Sequence, residues 1–431
     1  METIVALATP AGNSGVAVIR MSGDKVKDIA KQIIDEDLEF KPRHMYLKEI
    51  TCKGIKDTAL VVYFSAPNSY TGEDVVEIQS HGGYFLAQKV IEQCMEYGAK
   101  LATPGEFSKR AFINGKMSID QAEGVMDIIN AESEMQAKQA SNLLIGSLKD
   151  KITVFQNAIT DILAELEAKI DYPEYEFTDD ETNNLQEKLK TLKNDLFSMI
   201  SNSKNGLKIK NGVNIAIIGA PNVGKSSILN TLTNSNKAIV TNIAGTTRDV
   251  VEAEYEYNGI IFRLFDTAGI HESNDIVEKI GIDRAKQTLS NADLVLLISD
   301  KNTPNITETN KPFLKVYNKI DLFGENLDNT YINISAQTGE NIDKLKQKIF
   351  DYTIGGKINE NGFYLTNVRH IECIKNALKH IISACELFEN MTIDIISAEL
   401  KSAWLILGEI SGTTTNEAII DRIFSKFCLG K

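Results

Sequence analysis

The sequence predicts a multi-domain α/β-plus-α protein: a mixed α/β region first, then a helical region interrupted by a second α/β module. Three observations predict it. Short apolar runs of β type, punctuated by Gly, Pro and Asn, fill residues 1–117. From Ser118 almost no Gly or Pro occurs until Pro173, and apolar residues recur at helical spacing. Between Val213 and Ser335 apolar strands alternate with helical stretches, the signature of a mostly parallel sheet with crossover helices. The 431 residues leave room for this, since a domain runs to roughly 150 residues.

Composition narrows the classes. With 43% apolar residues the chain can bury sizeable cores, which excludes wholesale disorder. Lys and Arg number 46 against 59 Asp and Glu, a formal net charge of −13, so a polyanion must be met through a local basic patch. Five scattered cysteines without a C-x-x-C pair argue against a disulfide framework or zinc site and fit a reducing compartment. No run approaches transmembrane length and the N-terminus has no signal-peptide pattern, so a soluble, cytoplasmic protein with no membrane partner is expected.

Within residues 1–117, strands are expected over Ile4–Ala8, Val16–Ile19, Ala59–Phe64 and Val75–Ile78, with helices near Asp24–Ile34 and Tyr84–Tyr97. Ser118 followed by Gln121 is a capping-box start. Leu144, Leu148, Ile152, Phe155, Ile159, Ile162, Leu166 and Ile170 then form one helical face, read as core. The acidic run Asp171–Glu181 reads as a solvated turn, and another helical pattern runs to about Ser203. Asn205-Gly206 and Asn211-Gly212 read as turns. Strands follow at Val213–Gly219, Glu252–Tyr257, Ile260–Asp266, Leu294–Ser299, Phe313–Tyr317 and Tyr331–Ser335. Beyond Thr366 helix returns, with stripes at Ile371, Ile374, Leu378, Ile382 and at Leu400, Trp404, Leu407. The expected segments are therefore the mixed α/β region at 1–117, a first helical segment at 118–211, the inserted module at 212–356 and a second helical segment at 357–431.

Gly219–Ser226 reads G-A-P-N-V-G-K-S, a phosphate-binding loop placed directly after an apolar strand and before a helical pattern. Its glycines let successive N–H groups face phosphates, Lys225 would reach the β- and γ-phosphates, and Ser226 would ligate Mg²⁺. Gly245-Thr246-Thr247-Arg248-Asp249, Asp266-Thr267-Ala268-Gly269, Asn318-Lys319-Ile320-Asp321 and Ser335-Ala336 follow in the order of a P-loop (Ras-like) GTPase domain. Asp321 selects guanine, because a carboxylate accepts from both N1–H and the 2-amino group, and adenine offers neither. Where many GTPases place a water-orienting Gln after D-T-A-G, this chain has Ile270, which cannot orient water. Asn222 could instead ligate a monovalent cation beside the phosphates. Glu278 could orient the water through an intermediary, although spacing alone favours an exposed acid opening a helix.

The segments TPAGNSGVAVIRMSG, PNSYTGEDVVEIQSHGG, TPGEFSKRAFINGK and the terminal DRIFSKFCLGK, joined to the GTPase motifs, closely resemble the MnmE (TrmE) family of tRNA-modification GTPases over the whole chain. The resemblance implies an N-terminal tetrahydrofolate-binding and dimerisation domain, a discontinuous helical domain and an inserted, potassium-stimulated GTPase domain. It implies a homodimer that works with MnmG, an FAD- and NADH-dependent partner, in a heterotetramer or larger complex. The activity implied places an aminomethyl-type group at C5 of the wobble uridine of certain tRNAs. The carbon comes from a tetrahydrofolate (5,10-methylene or 5-formyl) and the amine from ammonium or glycine.

Position by position, Arg20, Glu77, Lys116 and Lys431 match the folate contacts. Without the resemblance, Arg20 and Lys116 read as solvated surface charges. Ser226 and Thr247 match the Mg²⁺ ligands, and Asn222, Thr241, Ile243 and Thr246 the K⁺ site. Contacts to GTP extend over Asn222, Val223, Gly224, Lys225, Ser226 and Ser227, over Thr241, Asn242, Ile243, Ala244, Gly245, Thr246 and Thr247, over Asp266, Thr267, Ala268 and Gly269, and over Asn318, Lys319, Asp321, Ser335 and Ala336. Lys225 and Thr247 would act in hydrolysis, and Glu278 takes the water-orienting role. Cys428 falls in the family's C-[IL]-G-K motif, which implicates it in modification. Its flanks Phe427 and Leu429 suit a small buried hydrophobe.

The connection Lys301–Tyr317 is short for a crossover, so its usual helix is expected to be short or absent. Lys204, Lys208 and Lys210 could touch tRNA but read better as solvated linker charges. Two other readings remain open: a ribosome-assembly or signalling GTPase without folate chemistry, and a folate-dependent transferase merely regulated by GTP.

Overall fold

A computed structural model describes residues 2–171, 178–234, 253–266, 289–303, 310–355, 358–359, 362–388, 393–428 and 430. Two compact units emerge. One comprises Met1–Met126, Asn142–Leu189 and Lys379–Lys431, the other Asp127–Ser141 and Lys190–Leu378.

The first unit holds a six-stranded sheet of β1 (Ile4–Leu7), β2 (Val16–Ser22), β3 (Met45–Cys52), β4 (Ile55–Phe64), β5 (Val75–His81) and β6 (Lys100–Leu101). Their spatial order is β3-β4-β5-β2-β1-β6. Alternation places Ile19, Met21, Val61, Val76 and Ile78 in a core with Ile29 and Ile33 of the helix Val26–Ile34 and Ala87 and Val90 of the helix Tyr84–Glu96. The intervening residues Arg20, Glu77 and Gln79 therefore fall on the opposite face. Strand β3 was not expected, because its half-buried Lys48 and exposed Glu49 mask the period of an edge strand. Lys53-Gly54 turns it back onto β4, both residues at positive φ with Cys52 opposite Ile55.

Helices follow, and Glu134–Leu144, Asp179–Ser201 and Val368–Phe388 are among those divided between the two units. Gln121 Oε1 accepts from the Ser118 N–H at 3.0 Å, half of the capping box, while the Ser118 hydroxyl donates to Asp120 at 2.6 Å. The expected stripe is broken at Gly146 (φ 91), between the helices Glu134–Leu144 and Ser147–Asp171. Leu148, Ile152, Phe155, Ile159, Ile162 and Leu166 are buried as expected, whereas Leu144 and Ile170 at the ends are exposed. Likewise Ile381, not Ile382, faces the core in the helix Val368–Phe388. The acidic run ends in a full capping box at Thr178 and Glu181 that opens the helix Asp179–Ser201; residues 172–177 lie outside the described set. The helix Ser147–Asp171 packs along Ile393–Ser411. The last helix, Glu417–Phe424, is capped by Asn416; its Phe424, and Phe427 just beyond it, pack beside Phe112 and Ala122.

The second unit holds β7 (Val213–Gly219), β8 (Ala253–Tyr257), β9 (Ile260–Asp266), β10 (Leu294–Ser299), β11 (Phe313–Tyr317) and β12 (Tyr331–Asn333) in the order β12-β11-β10-β7-β9-β8. All pairs are parallel except β8 with β9. Strand β10 is buried along its whole length, as a central parallel strand covered on both faces must be. The described part of the connection after β10 contains no helix: Asp300 folds back on Asn302 and Thr303 and β11 pairs directly beside β10.

Asn205-Gly206 is not a turn; both lie inside the helix Ser203–Asn211. The glycine serves close approach, since a Cβ on Gly206 would stand 2.1 Å from the Leu365 carbonyl oxygen. Gly206→Ala is expected to cost about 2–3 kcal/mol of stability through overpacking, read as a lower urea midpoint. An unchanged midpoint would show that this backbone contact can move aside.

Candidate functional site

The described motif segments end at the carboxyl edge of the parallel sheet, where the strand order reverses about β7 and ligands bind such folds. The phosphate loop leaves β7 and enters the helix Lys225–Asn234. A Cβ on Gly219 would meet the Ile298 carbonyl oxygen at 2.6 Å, so only glycine lets the loop start against β10. Lys225 Nζ donates to the Gly219 and Ala220 carbonyls at 3.0 and 3.3 Å. Those oxygens occupy the amine much as phosphate oxygens would. Asn222 at φ 65, Ser226 and Ser227 are exposed or half-buried and Val223 is buried beneath the loop.

The base end is wired to the phosphate end. Asn318, 2% exposed, donates from Nδ2 to the Val223 carbonyl at 2.8 Å and accepts from the Ala336 N–H at 3.0 Å. Lys319, in left-handed conformation, donates to the Asn222 carbonyl at 2.5 Å and pairs with Asp300 at 2.7 Å. Burial alone would push the Asp300 carboxyl up, but hydrogen bonds from Lys319, Thr303 and Asn302 hold it below the ordinary carboxylate range. Asp321 is exposed, and its Oδ1 accepts from the Ser335 hydroxyl at 2.6 Å, which aims the carboxylate. The structure thus brings Asn222, Val223, Gly224, Lys225, Ser226, Asn318, Lys319, Asp321, Ser335 and Ala336 around one sheet edge, with Asp266 closing β9. Thr241, Asn242, Ile243, Ala244, Gly245, Thr246, Thr247, Thr267, Ala268, Gly269, Ile270 and Glu278 lie outside the described residues. Sequence reading missed Asp300, although an acid directly after a buried strand is the available signal.

In the first unit Arg20 and Glu77 are register partners on β2 and β5, with Nε to Oε1 at 2.8 Å and side chains only 16% and 15% exposed. Arg20 is therefore not the solvated charge its sequence context suggests. Its guanidinium lies over the Tyr70 and Phe107 rings, 5.2 and 5.9 Å from their centroids, and its Nη1 is buried with no hydrogen-bond partner. An orphaned guanidinium nitrogen suits a polar or anionic ligand atom. Lys116 is exposed, its stem against Gly72, and lines a neighbouring cavity.

Cys428 is exposed rather than buried, because Phe424 and Phe427 take the core positions of the terminal segment. By contrast burial pushes the Cys52 thiol up to about 11 and that of Cys94 higher still, leaving both inert. Gly430 lies against β1, the strand that pairs with Arg20's, where a Cβ would be 2.2 Å from the Leu7 carbonyl oxygen. Lys431 lies outside the described residues.

The lysines considered for RNA differ from a solvated linker. All three lie in the helix Ser203–Asn211; Lys208 donates to the Thr353 carbonyl and Lys210 pairs with Asp127, while Lys204 is exposed. Among the described residues no helix is long and apolar enough to cross a membrane, and no group of three or more His, Cys, Asp or Glu could hold a metal.

A parallel sheet with this loop, and a recognition element built on Asn318 and Asp321, define a P-loop guanine-nucleotide-binding protein. Residues 3–116 match the family model of the GTP-binding protein TrmE N-terminus, and residues 119–428 that of the MnmE helical domain. A tRNA modification GTPase MnmE of Staphylococcus aureus (strain bovine RF122 / ET3-1) is 37% identical over 458 aligned residues, covering 100% of both chains. The same figures hold for the protein of that name from strain JH9. The chain belongs to the MnmE (TrmE) family of tRNA modification GTPases. Among solved structures, the FeoB G-domain of Methanococcus jannaschii is 32% identical and covers 33% of this chain and 97% of its own at a TM-score of 0.26. Aquifex aeolicus Era Y63A bound to GDP.AlF4- is 28% identical, covering 40% and 67% at a TM-score of 0.25.

Proposed function

We propose that this GTPase hydrolyses GTP in a potassium-stimulated manner and, with the flavin-dependent partner MnmG, installs an aminomethyl-type group at C5 of the wobble uridine of certain tRNAs. The carbon comes from a tetrahydrofolate held at Arg20, Glu77, Lys116 and Lys431. The organisation proposed is a folate-binding and dimerisation domain at 1–117, a helical domain at 118–211 and 357–431, and the GTPase domain at 212–356, in a cytoplasmic homodimer. One observation carries the reading: a chain with a wired guanine-nucleotide edge also holds a half-buried Arg20–Glu77 pair whose guanidinium Nη1 is buried without a hydrogen-bond partner.

The residues divide the work. Lys225 exchanges its two carbonyl partners for β- and γ-phosphate oxygens, and loop amides take the remaining phosphate charge. Ser226 and Thr247 would hold Mg²⁺, which supplies charge neutralisation when bound. Asn222, Thr241, Ile243 and Thr246 would hold K⁺, whose positive charge would take the place of an arginine finger. Glu278 would orient the attacking water. At the folate site Glu77 accepts from pterin amino donors, while Arg20 and Lys116 meet acceptors and carboxylates. Cys428, exposed at the chain end, is available to touch the modification chemistry.

Turnover in KCl should exceed that in NaCl at matched ionic strength by about tenfold or more, as expected when a cation replaces an arginine finger. Asn222→Ala should abolish that difference while nucleotide binding persists. Equal rates in the two salts would leave a GTPase but remove the potassium mechanism.

A further inference from the structure

Beside the Arg20–Glu77 pair lies a cavity of about 690 Å³, lined by Arg43, Val62, Phe64, Tyr70, Gln79 and Lys116 among others, with no Asp or Glu among the described residues that line it. Gln79 is two residues beyond Glu77 on the same face of β5, and Tyr70 both lines the cavity and lies under the Arg20 guanidinium. The cavity and the pair are therefore one continuous surface.

Its charge is unusual for this chain. Acids outnumber bases, 59 to 46, yet among the described residues neither Arg43 nor Lys116 has a carboxylate partner. Among the described residues, the one hydrogen bond of the Arg43 side chain is a long one, from Nη2 to the Asn68 carbonyl at 3.4 Å. Its backbone sits at φ 60, in the left-handed region that costs a residue with a Cβ, and is held there by its N–H to the Tyr63 carbonyl at 2.7 Å. A strained backbone thus presents an unpaired guanidinium at the edge of an acid-free cavity. Two cations and two aromatic walls fit a flat aromatic linker that ends in carboxylates.

We infer that Arg43 reads the glutamyl tail of the folate, with the pterin at Arg20 and Glu77, and that this site prefers folates bearing additional γ-linked glutamates. The inference rests on the folate reading above. Each added glutamate brings one more carboxylate, and the exposed Arg43 offers the fork-shaped donor set that binds carboxylate in bidentate fashion.

Titration of the full-length protein with monoglutamyl and triglutamyl 5-formyl-tetrahydrofolate tests this. The triglutamyl form should bind about tenfold more tightly, one charge-assisted contact's worth, with the advantage shrinking as salt rises. Arg43→Ala should bring the ratio close to one, and Arg43→Lys should restore only part of it, which a merely structural Arg43 would not do. Equal binding of the two forms, or a ratio that survives Arg43→Ala, overturns this inference and leaves folate binding standing. If neither form binds, the folate reading falls and this inference with it.

Discussion

Asp321→Asn is expected to weaken GTP binding by at least about a hundredfold and to create binding of xanthosine triphosphate. The carboxylate accepts two hydrogen bonds from guanine, and an amide in its place turns one donor toward the 2-amino donor, leaving polar groups unpaired. Xanthine carries a carbonyl at that position and accepts from the amide. The Ser335 hydroxyl that now holds Asp321 at 2.6 Å can also donate to an amide oxygen, so the variant should keep its orientation and its fold. Competition of GTP, ATP and xanthosine triphosphate against a fluorescent nucleotide reads the effect. Unaltered preference for GTP would show that Asp321 does not contact the base.

Gly224→Ala should all but eliminate nucleotide binding, by about two orders of magnitude or more, since it spoils two things at once. The residue sits at φ +96, where a Cβ strains the backbone, and that Cβ would stand 2.3 Å from Asn318 Nδ2. Asn318 would have to leave the Val223 carbonyl, cutting the link between phosphate loop and base end. A left-handed non-glycine residue and a lost buried hydrogen bond each cost on the order of 1–3 kcal/mol. Both affinity and urea midpoint should therefore fall. Retained affinity with a normal midpoint would mean that the loop and Asn318 are not mechanically joined.

Much of the architecture was legible because its signals are local. Strands β7, β9, β10 and β11 appear at their expected bounds, since their largely apolar runs end in Gly219, Asp266, Ser299 and, after Tyr317, Asn318. The helix Ser147–Asp171 announced its core face by period alone. Edge strand β3 stayed hidden because half its residues are solvated, and Asn205-Gly206 misled because a glycine needed for close packing looks the same as one needed for a turn.

The sequence by itself determined the class of site: the order and spacing of the phosphate loop, D-T-A-G, N-K-I-D and S-A segments specify guanine-nucleotide chemistry without coordinates. Only the tertiary structure decided which charges are usable. Arg20 is half-buried and paired with Glu77, Lys208 and Lys210 are tied to Thr353 and Asp127, Asp300 steadies Lys319, and Arg43 lies beside a cavity with no carboxylate partner among the described residues. The physical reason is range. Phosphate-loop chemistry resides in consecutive backbone amides, so it is written locally, whereas burial and the pairing of a charge depend on residues tens to hundreds of positions away that meet only when the sheet and its helices close.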